Sequence, residues 1–156
     1  MPRQAAILAI ALASLTPPAA AQQAAPEEGA PASAVLALEL DGLADVDGAC
    51  RLTFQARNGL GADIGALVVE AVAFGPEGGV ERIALFDFRD LPRDRLRVRQ
   101  FDLPGTACGA VGSVLVNGVQ TCEAAEGGDG ATAALDPAAC TRALSVSSRT
   151  DVELLG

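Results

Sequence analysis

Residues 67–88 constrain the fold of this chain more than any other stretch. Two runs rich in β-branched and aromatic residues, LVVEAVAF and VERIALFDF, flank the turn sequence GPEGG. Apolar runs separated by Pro and Gly are typical of a β-hairpin. The first run, residues 67–74, is apolar on both faces, which predicts a strand near the centre of a sheet. Such a hairpin aggregates unless other strands pack over it, so the remaining chain is expected to supply them.

Alternation of apolar and polar residues predicts the other strands, at 35–41, 50–57, 95–103, 111–119 and 144–154, the last as one unbroken strand. A change of phase after Gln100 predicts a β-bulge there. Residues 41–48, DGLADVDG, indicate a turn or irregular connection. The long Gly- and Ala-rich stretch at 123–139 predicts a loop that ends in a short helical turn at 136–139.

About seven or eight strands, regularly spaced turns and no long helix predict an all-β protein. The favoured architecture is an antiparallel β-sandwich of immunoglobulin-like type. A small β-barrel is the alternative, because sequence pattern separates the two poorly.

The N-terminus predicts export. Arg3, an apolar run over residues 5–15 and the triplet Ala19-Ala20-Ala21 together form the pattern of a signal peptide, with cleavage near Ala21. We therefore expect a signal peptide at 1–21, a disordered Ala/Pro/Glu-rich linker at 22–34 and a single β-sandwich domain at 35–156. No stretch is long enough to predict a membrane span. The expected location is the periplasm or the extracellular space.

Charge limits the partners of this protein. Removal of residues 1–21 leaves 10 of the 11 basic and all 20 acidic residues, a net charge of −10. Nucleic acids and anionic membrane surfaces both need a basic protein surface. We therefore expect no nucleic-acid partner, and a partner that is a protein or an envelope component.

The four cysteines of an exported chain of this size predict two disulfides. Cys122 and Cys140 bracket the Gly/Ala-rich loop, and their pairing would close it. Cys50 on the core face of its strand would then pair with Cys108 across the sandwich. The chain has no CxxC pair and no histidine, so a structural role is favoured over a redox or zinc site.

Two clusters of charged residues are candidate binding sites. Arg95, Arg97 and Arg99 fall on one face of a predicted strand and form a candidate anion or partner contact. Such a face more often pairs with acids of a neighbouring strand, such as Asp87 or Glu81, and protects a sheet edge. The acids of 41–48, Asp41, Asp45 and Asp47, lack the spacing of an EF-hand loop. Asx-turns explain them without an ion, and we predict neither a metal nor a cofactor.

Catalysis is difficult to build from this composition. Without His, Lys or Tyr, the usual bases that activate a serine or cysteine nucleophile are absent from the sequence. Chemistry with a pair of carboxylates remains open, but the chain has no Trp or Tyr to stack against a sugar. We therefore predict that the protein is not an enzyme.

The segments GLADVDGACRLTFQARNGLGADI, VERIALFDF, RVRQFDL and SSRTDVELLG resemble small exported bacterial proteins of unknown function. The segment VVEAVAFGPEGGV is similar to a strand-turn-strand of FxLYD-type immunoglobulin-like domains, although their tyrosine is missing here. The second likeness implies a sandwich fold, and neither implies an activity. The expected function is that of a non-catalytic periplasmic binding or interaction module. The alternatives are an accessory structural subunit of an envelope complex and a carboxylate-dependent hydrolase.

Overall fold

The computed structural model describes residues 35–127 and 135–156. The predicted signal peptide at 1–21 and the predicted linker at 22–34 lie outside the described residues. So do residues 128–134 of the predicted loop.

Eight strands form an all-β sandwich of two four-stranded sheets, as the strand pattern predicted. One sheet has the order β5-β2-β1-β7 and the other β4-β3-β6-β8. The strands are β1 (Leu36–Val46), β2 (Ala49–Asn58), β3 (Ile64–Phe74), β4 (Val80–Leu91), β5 (Leu96–Pro104), β6 (Ser113–Ala124), β7 (Leu144–Ser148) and β8 (Glu153–Leu155). The two sheets remain separate, so the barrel alternative is wrong.

The predicted hairpin is confirmed and is formed by β3 and β4. β3 lies between β4 and β6 in its sheet, which explains why both of its faces are rich in apolar residues. The turn that joins the two strands closes through a hydrogen bond from the Gly75 amide to the Gly79 carbonyl, 2.8 Å away. Gly112 packs against this turn, because a Cβ atom placed on it would lie 2.8 Å from Pro76 Cα.

The prediction of a turn over residues 41–48 is wrong for most of that segment. β1 continues to Val46, and only Asp47 and Gly48 form the connection to β2. Both residues have positive φ, 48° and 77°, as a tight two-residue hairpin turn requires. Asp41 and Asp45 lie instead on a strand that is paired with β2.

The predicted single strand at 144–154 is also wrong. β7 pairs with β1 and β8 pairs with β6, so the chain crosses from one sheet to the other between them. Both pairs are parallel, which departs from a purely antiparallel sandwich. The hydroxyl groups of Ser148 and Thr150 each donate to the carbonyl of Val152, at 2.7 and 3.2 Å. These bonds hold the crossing in a compact turn that apolar periodicity does not reveal.

The bulge predicted at Gln100 is absent from the described strand, because β2 and β5 pair in one unbroken register. The arginines at 97 and 99 lie on the inward side, and Leu96 and Val98 are exposed at 46% and 54%. The inward positions of β5 change from arginine to Phe101 because the strand runs from the open rim of the sandwich into its core. No extra residue, and so no β-bulge, is needed to explain the change in pattern.

The core lies between the sheets and centres on Phe54 of β2. Its ring lies 5.7 Å from that of Phe88 and 5.8 Å from that of Phe86, both on the opposite sheet. Phe86 also stacks on Phe101 of β5, with ring centroids 4.4 Å apart. These contacts close the side of the sandwich where β4 and β5 are the edge strands.

Disulfides join Cys50 to Cys108 and Cys122 to Cys140, the predicted pairing. Cys140 belongs to a short helix, α1 (Pro137–Arg142), where a short helical turn was predicted. The Asp136 carboxylate caps this helix by accepting from the Ala139 amide at 2.7 Å. The described part of the chain contains no helix that is long and apolar enough to cross a membrane.

Candidate functional site

The outer faces of the two sheets differ in chemistry. On the β5-β2-β1-β7 sheet, polar side chains pair with one another. Arg51 binds Asp102 through two hydrogen bonds of 2.7 and 2.8 Å, and Arg149 pairs with Glu39. Gln55 donates to Asp41 at 2.7 Å. This face therefore satisfies most of its own charges.

Within residues 35–127 and 135–156, the Arg51–Asp102 pair is the one place where ionisation is clearly perturbed. The hydrogen bond from the guanidinium lowers the pKa of Asp102 below its ordinary value, against a smaller opposing effect of desolvation. The same hydrogen bond raises the pKa of Arg51. Both groups are open to solvent, so the pair orders the surface more than it stabilises the fold.

The outer face of the β4-β3-β6-β8 sheet carries a continuous apolar row. Val72 of β3 lies directly opposite Ile83 of β4 on one side and Leu115 of β6 on the other. Leu115 in turn lies opposite Leu155 of β8. Opposed residues point to the same side of a sheet. Four aliphatic side chains, one from each strand, therefore cross the whole sheet; we call them the apolar row.

The apolar row is open to solvent at both ends. Ile83 is 62% exposed and Leu155 is 37% exposed, and neighbouring Leu85 is 63% exposed. Scattered exposed aliphatic residues are ordinary on a protein surface. Val72, in the middle of the row, is only 7% exposed, but Ile83 and Leu85 form a pair of exposed aliphatic side chains at its β4 end. Neighbouring exposed aliphatic side chains are typical of an interaction surface.

Carboxylates surround the apolar row. Glu70 lies opposite Leu85, and Asp87 lies opposite Val68 on the same face. Glu153 of β8 lies opposite Ser113, two residues before the exposed Leu155 and on the same face of the sheet. Among the described residues, no arginine occupies an outward-facing position of these four strands, counting β4 only as far as Asp87. The face therefore combines apolar area with negative charge.

The three arginines of the predicted anion or partner contact lie in two different environments. Arg97 and Arg99 point into the gap between the sheets and share one partner, the Asp90 carboxylate, at 3.3 and 3.2 Å. Arg99 also donates from Nε to the Phe88 carbonyl at 2.8 Å. Arg95 precedes β5 and is exposed. The predicted anion or partner contact at these residues stays a prediction.

Two of the three acids considered as a calcium site, Asp41 and Asp45, accept hydrogen bonds from the protein. Asp41 Oδ1 accepts from Gln55, and Asp45 Oδ1 accepts from the Cys108 amide at 2.8 Å. Within residues 35–127 and 135–156, no group of three or more potential ligands lies close enough to hold a metal ion.

Two features were not predicted from the sequence, one on this surface and one in the protein interior. The exposure of Ile83 and Leu85 was missed because the hairpin was expected to be covered. VERIALFDF is apolar at both even and odd positions, and that was the signal available for a second exposed face. Asn58 lies one residue beyond the predicted strand at 50–57, and it is fully buried with all the polar atoms of its side chain bonded.

No protein family model, no curated protein and no solved structure matches this chain. The resemblance to small exported bacterial proteins and to FxLYD-type domains therefore stays a prediction.

Proposed function

We propose that this protein is a non-catalytic binding module of the periplasm or extracellular space, and that it docks a partner protein on the apolar row. The observation that carries the proposal is the alignment of Ile83, Val72, Leu115 and Leu155 across all four strands of one sheet. The two disulfides suit an oxidising compartment.

The charge around the row defines the partner. Glu70, Asp87 and Glu153 flank the aliphatic side chains, and the chain as a whole has a net charge of −9. A second copy would bring the same carboxylates together, and like charges across an interface disfavour association. The partner is therefore a protein whose apolar contact surface is bordered by Lys or Arg.

The opposite face offers the matched control. Leu96 is 46% exposed, between the values for Leu155 and Ile83, but its sheet is covered with paired polar groups. Leu96→Glu therefore removes a similar exposed apolar side chain, and adds the same negative charge, as a Leu→Glu or Ile→Glu change on the apolar row. It leaves the proposed contact intact.

The test uses a photo-crosslinking side chain at Ser113, beside the row, in the full chain expressed with its own signal peptide. We expect a crosslinked partner that is lost in Ile83→Glu and Leu155→Glu but kept in Leu96→Glu. Binding of the purified partner should weaken as salt rises, because opposite charges attract across the interface. Equal capture by all three variants, or no crosslinked species, would contradict the proposal.

A further inference from the structure

A groove runs along the side of the sandwich where β4 and β5 form the edges of their sheets. Its volume is about 640 Å³, within the usual range of ligand sites. Leu85 and Val98 stand on opposite sides of it, and the exposed part of Phe101 lies between them. The lining residues are completed by Asp87, Arg89, Asp90, Arg99 and Gln100.

The charge along this edge is opposite to that of the rest of the molecule. Residues 82–99 contain six arginines and three aspartates, a local charge of +3 in a chain of net charge −9. Arg97 and Arg99 share the single carboxylate of Asp90. In the described structure, the guanidinium of Arg89 has neither an ion pair nor a hydrogen bond.

Arg89 is held in an unusual backbone conformation at the groove. Its φ is 59°, and its amide donates to Asp87 Oδ1 at 2.8 Å. The register of β4 moves here from Asp87 to Arg89 over one residue of β3, so Phe88 is the extra residue of a bulge. Bulges of this kind redirect side chains and are common beside binding sites.

One half of the β4 edge is occupied and the other half is free. Arg99 donates to the carbonyls of Phe88 and Asp90, at 2.8 and 3.2 Å. In an extended strand, carbonyls two residues apart point in the same direction. Along β3, the Phe74 carbonyl accepts from the Gly112 amide on the β6 side, so the Ala71 and Val69 peptide groups point the other way and pair with Ala84 and Phe86 of β4. The alternate peptide groups of β4, those of Leu85 and Asp87, therefore face the free edge, where β4 has no neighbouring strand in its sheet. A free edge of this kind is a template for an added strand.

We propose that the groove binds an extended, acidic segment of a partner protein as a strand added to β4. The segment would hydrogen-bond to the Leu85 and Asp87 peptide groups and place a carboxylate at Arg89. A second copy of this chain is a poor occupant, because pairing of two β4 edges would bring two cationic bands together. Carboxylates elsewhere on the protein repel an acidic segment only weakly, because at physiological salt electrostatic interactions are screened beyond about 8 Å.

The groove shares Leu85 and Asp87 with the border of the apolar row, but the residues that test the two proposals differ, so each proposal can fail without the other. Ile83 and Leu155 do not line the groove, and Arg89 does not belong to the row.

The test uses the whole mature protein and a short fluorescent peptide that alternates Asp and Val. We expect binding by fluorescence anisotropy, together with amide shifts in NMR spectra centred on Leu85 and Asp87. Arg89→Asn should weaken binding about tenfold, since it removes a charge-assisted contact while Asn tolerates positive φ. Arg95→Gln removes an exposed arginine outside the groove and should change binding by less than about twofold.

Two control peptides separate charge from strand addition. Replacing Asp by Lys should abolish binding. N-methylation at alternate residues keeps the charge but blocks one hydrogen-bonding edge, and it should also abolish binding. The proposal is overturned if the acidic peptide does not bind, if either control binds equally well, or if Arg89→Asn binds like the parent. Amide shifts outside β4 and β5, or self-association through β4 without peptide, would also overturn it.

Discussion

The side-chain amide of Asn58 donates to the Leu91 carbonyl at 2.8 Å and so joins the end of β2 to the end of β4, on opposite sheets. The same amide donates to the Ala62 carbonyl, and Asn58 Oδ1 accepts from the Leu60 amide. Asn58 is fully buried. One side chain therefore satisfies three backbone groups where water is excluded.

Asn58→Ala should lower the free energy of unfolding by about 3 kcal/mol, because buried backbone groups would lose their partners. The measurement is urea unfolding followed by circular dichroism. Asn117→Ala is the control, since Asn117 is exposed and bonds only to Glu70 at the surface, and it should cost less than about 1 kcal/mol. Similar losses in the two variants would show that Asn58 does not join the sheets.

The two disulfides should contribute unequally to stability. Cys50 and Cys108 are 58 residues apart and Cys122 and Cys140 are 18 apart. By loop-closure entropy, removal of the first costs about 4 kcal/mol and removal of the second about 3 kcal/mol. Paired Cys→Ala variants, compared by urea midpoint, test this order. A larger loss for the Cys122–Cys140 variant would show that loop length does not govern their contributions.

Asp102 should titrate below its ordinary range, because Arg51 lowers its pKa. A carboxylate whose pKa is lower in the folded state stabilises the fold above its unfolded pKa. That contribution is lost as pH falls through the folded pKa. NMR titration of the Asp102 carboxyl carbon should give a value that rises toward normal in Arg51→Gln. An unchanged value in that variant would exclude the guanidinium as the cause.

Phe54 should be the most costly aromatic residue to truncate. Its ring is buried and contacts three other phenylalanine rings. Phe54→Ala should cost about 3–5 kcal/mol. Phe74→Ala is the control, since Phe74 is only partly buried and lies outside the aromatic cluster, and it should cost about half as much or less. Thermal unfolding by calorimetry distinguishes them, and equal costs would contradict a core centred on Phe54.

Local pattern predicted much of this fold. The hairpin of β3 and β4 was evident from two apolar runs around GPEGG, and the strand at 50–57 from strict alternation. The disulfide pairing followed from Cys50 on a core face and from two cysteines around a loop. These features depend on residues close in sequence or on one face of one strand.

The errors arose where a long-range contact overrides local pattern. Residues 144–154 keep an apolar period, but the turn at Ser148 sends the two halves to different sheets. Arg97 and Arg99 take the inward side of β5 because Asp90 and the β4 carbonyls across the gap accept their hydrogen bonds. No feature of the β5 sequence itself specifies that acceptor.

The sequence by itself determined that this chain is all-β and favoured a sandwich, since alternating strands with small turns have few ways to bury their apolar faces. It also favoured the observed disulfide pairing among the three that four cysteines allow. Only the tertiary structure decided which apolar residues stay uncovered, because exposure depends on which strand lies at an edge and what packs over each face. Ile83 and Leu85 read as core in the sequence and are surface in the fold, since β4 has a neighbour on one side only.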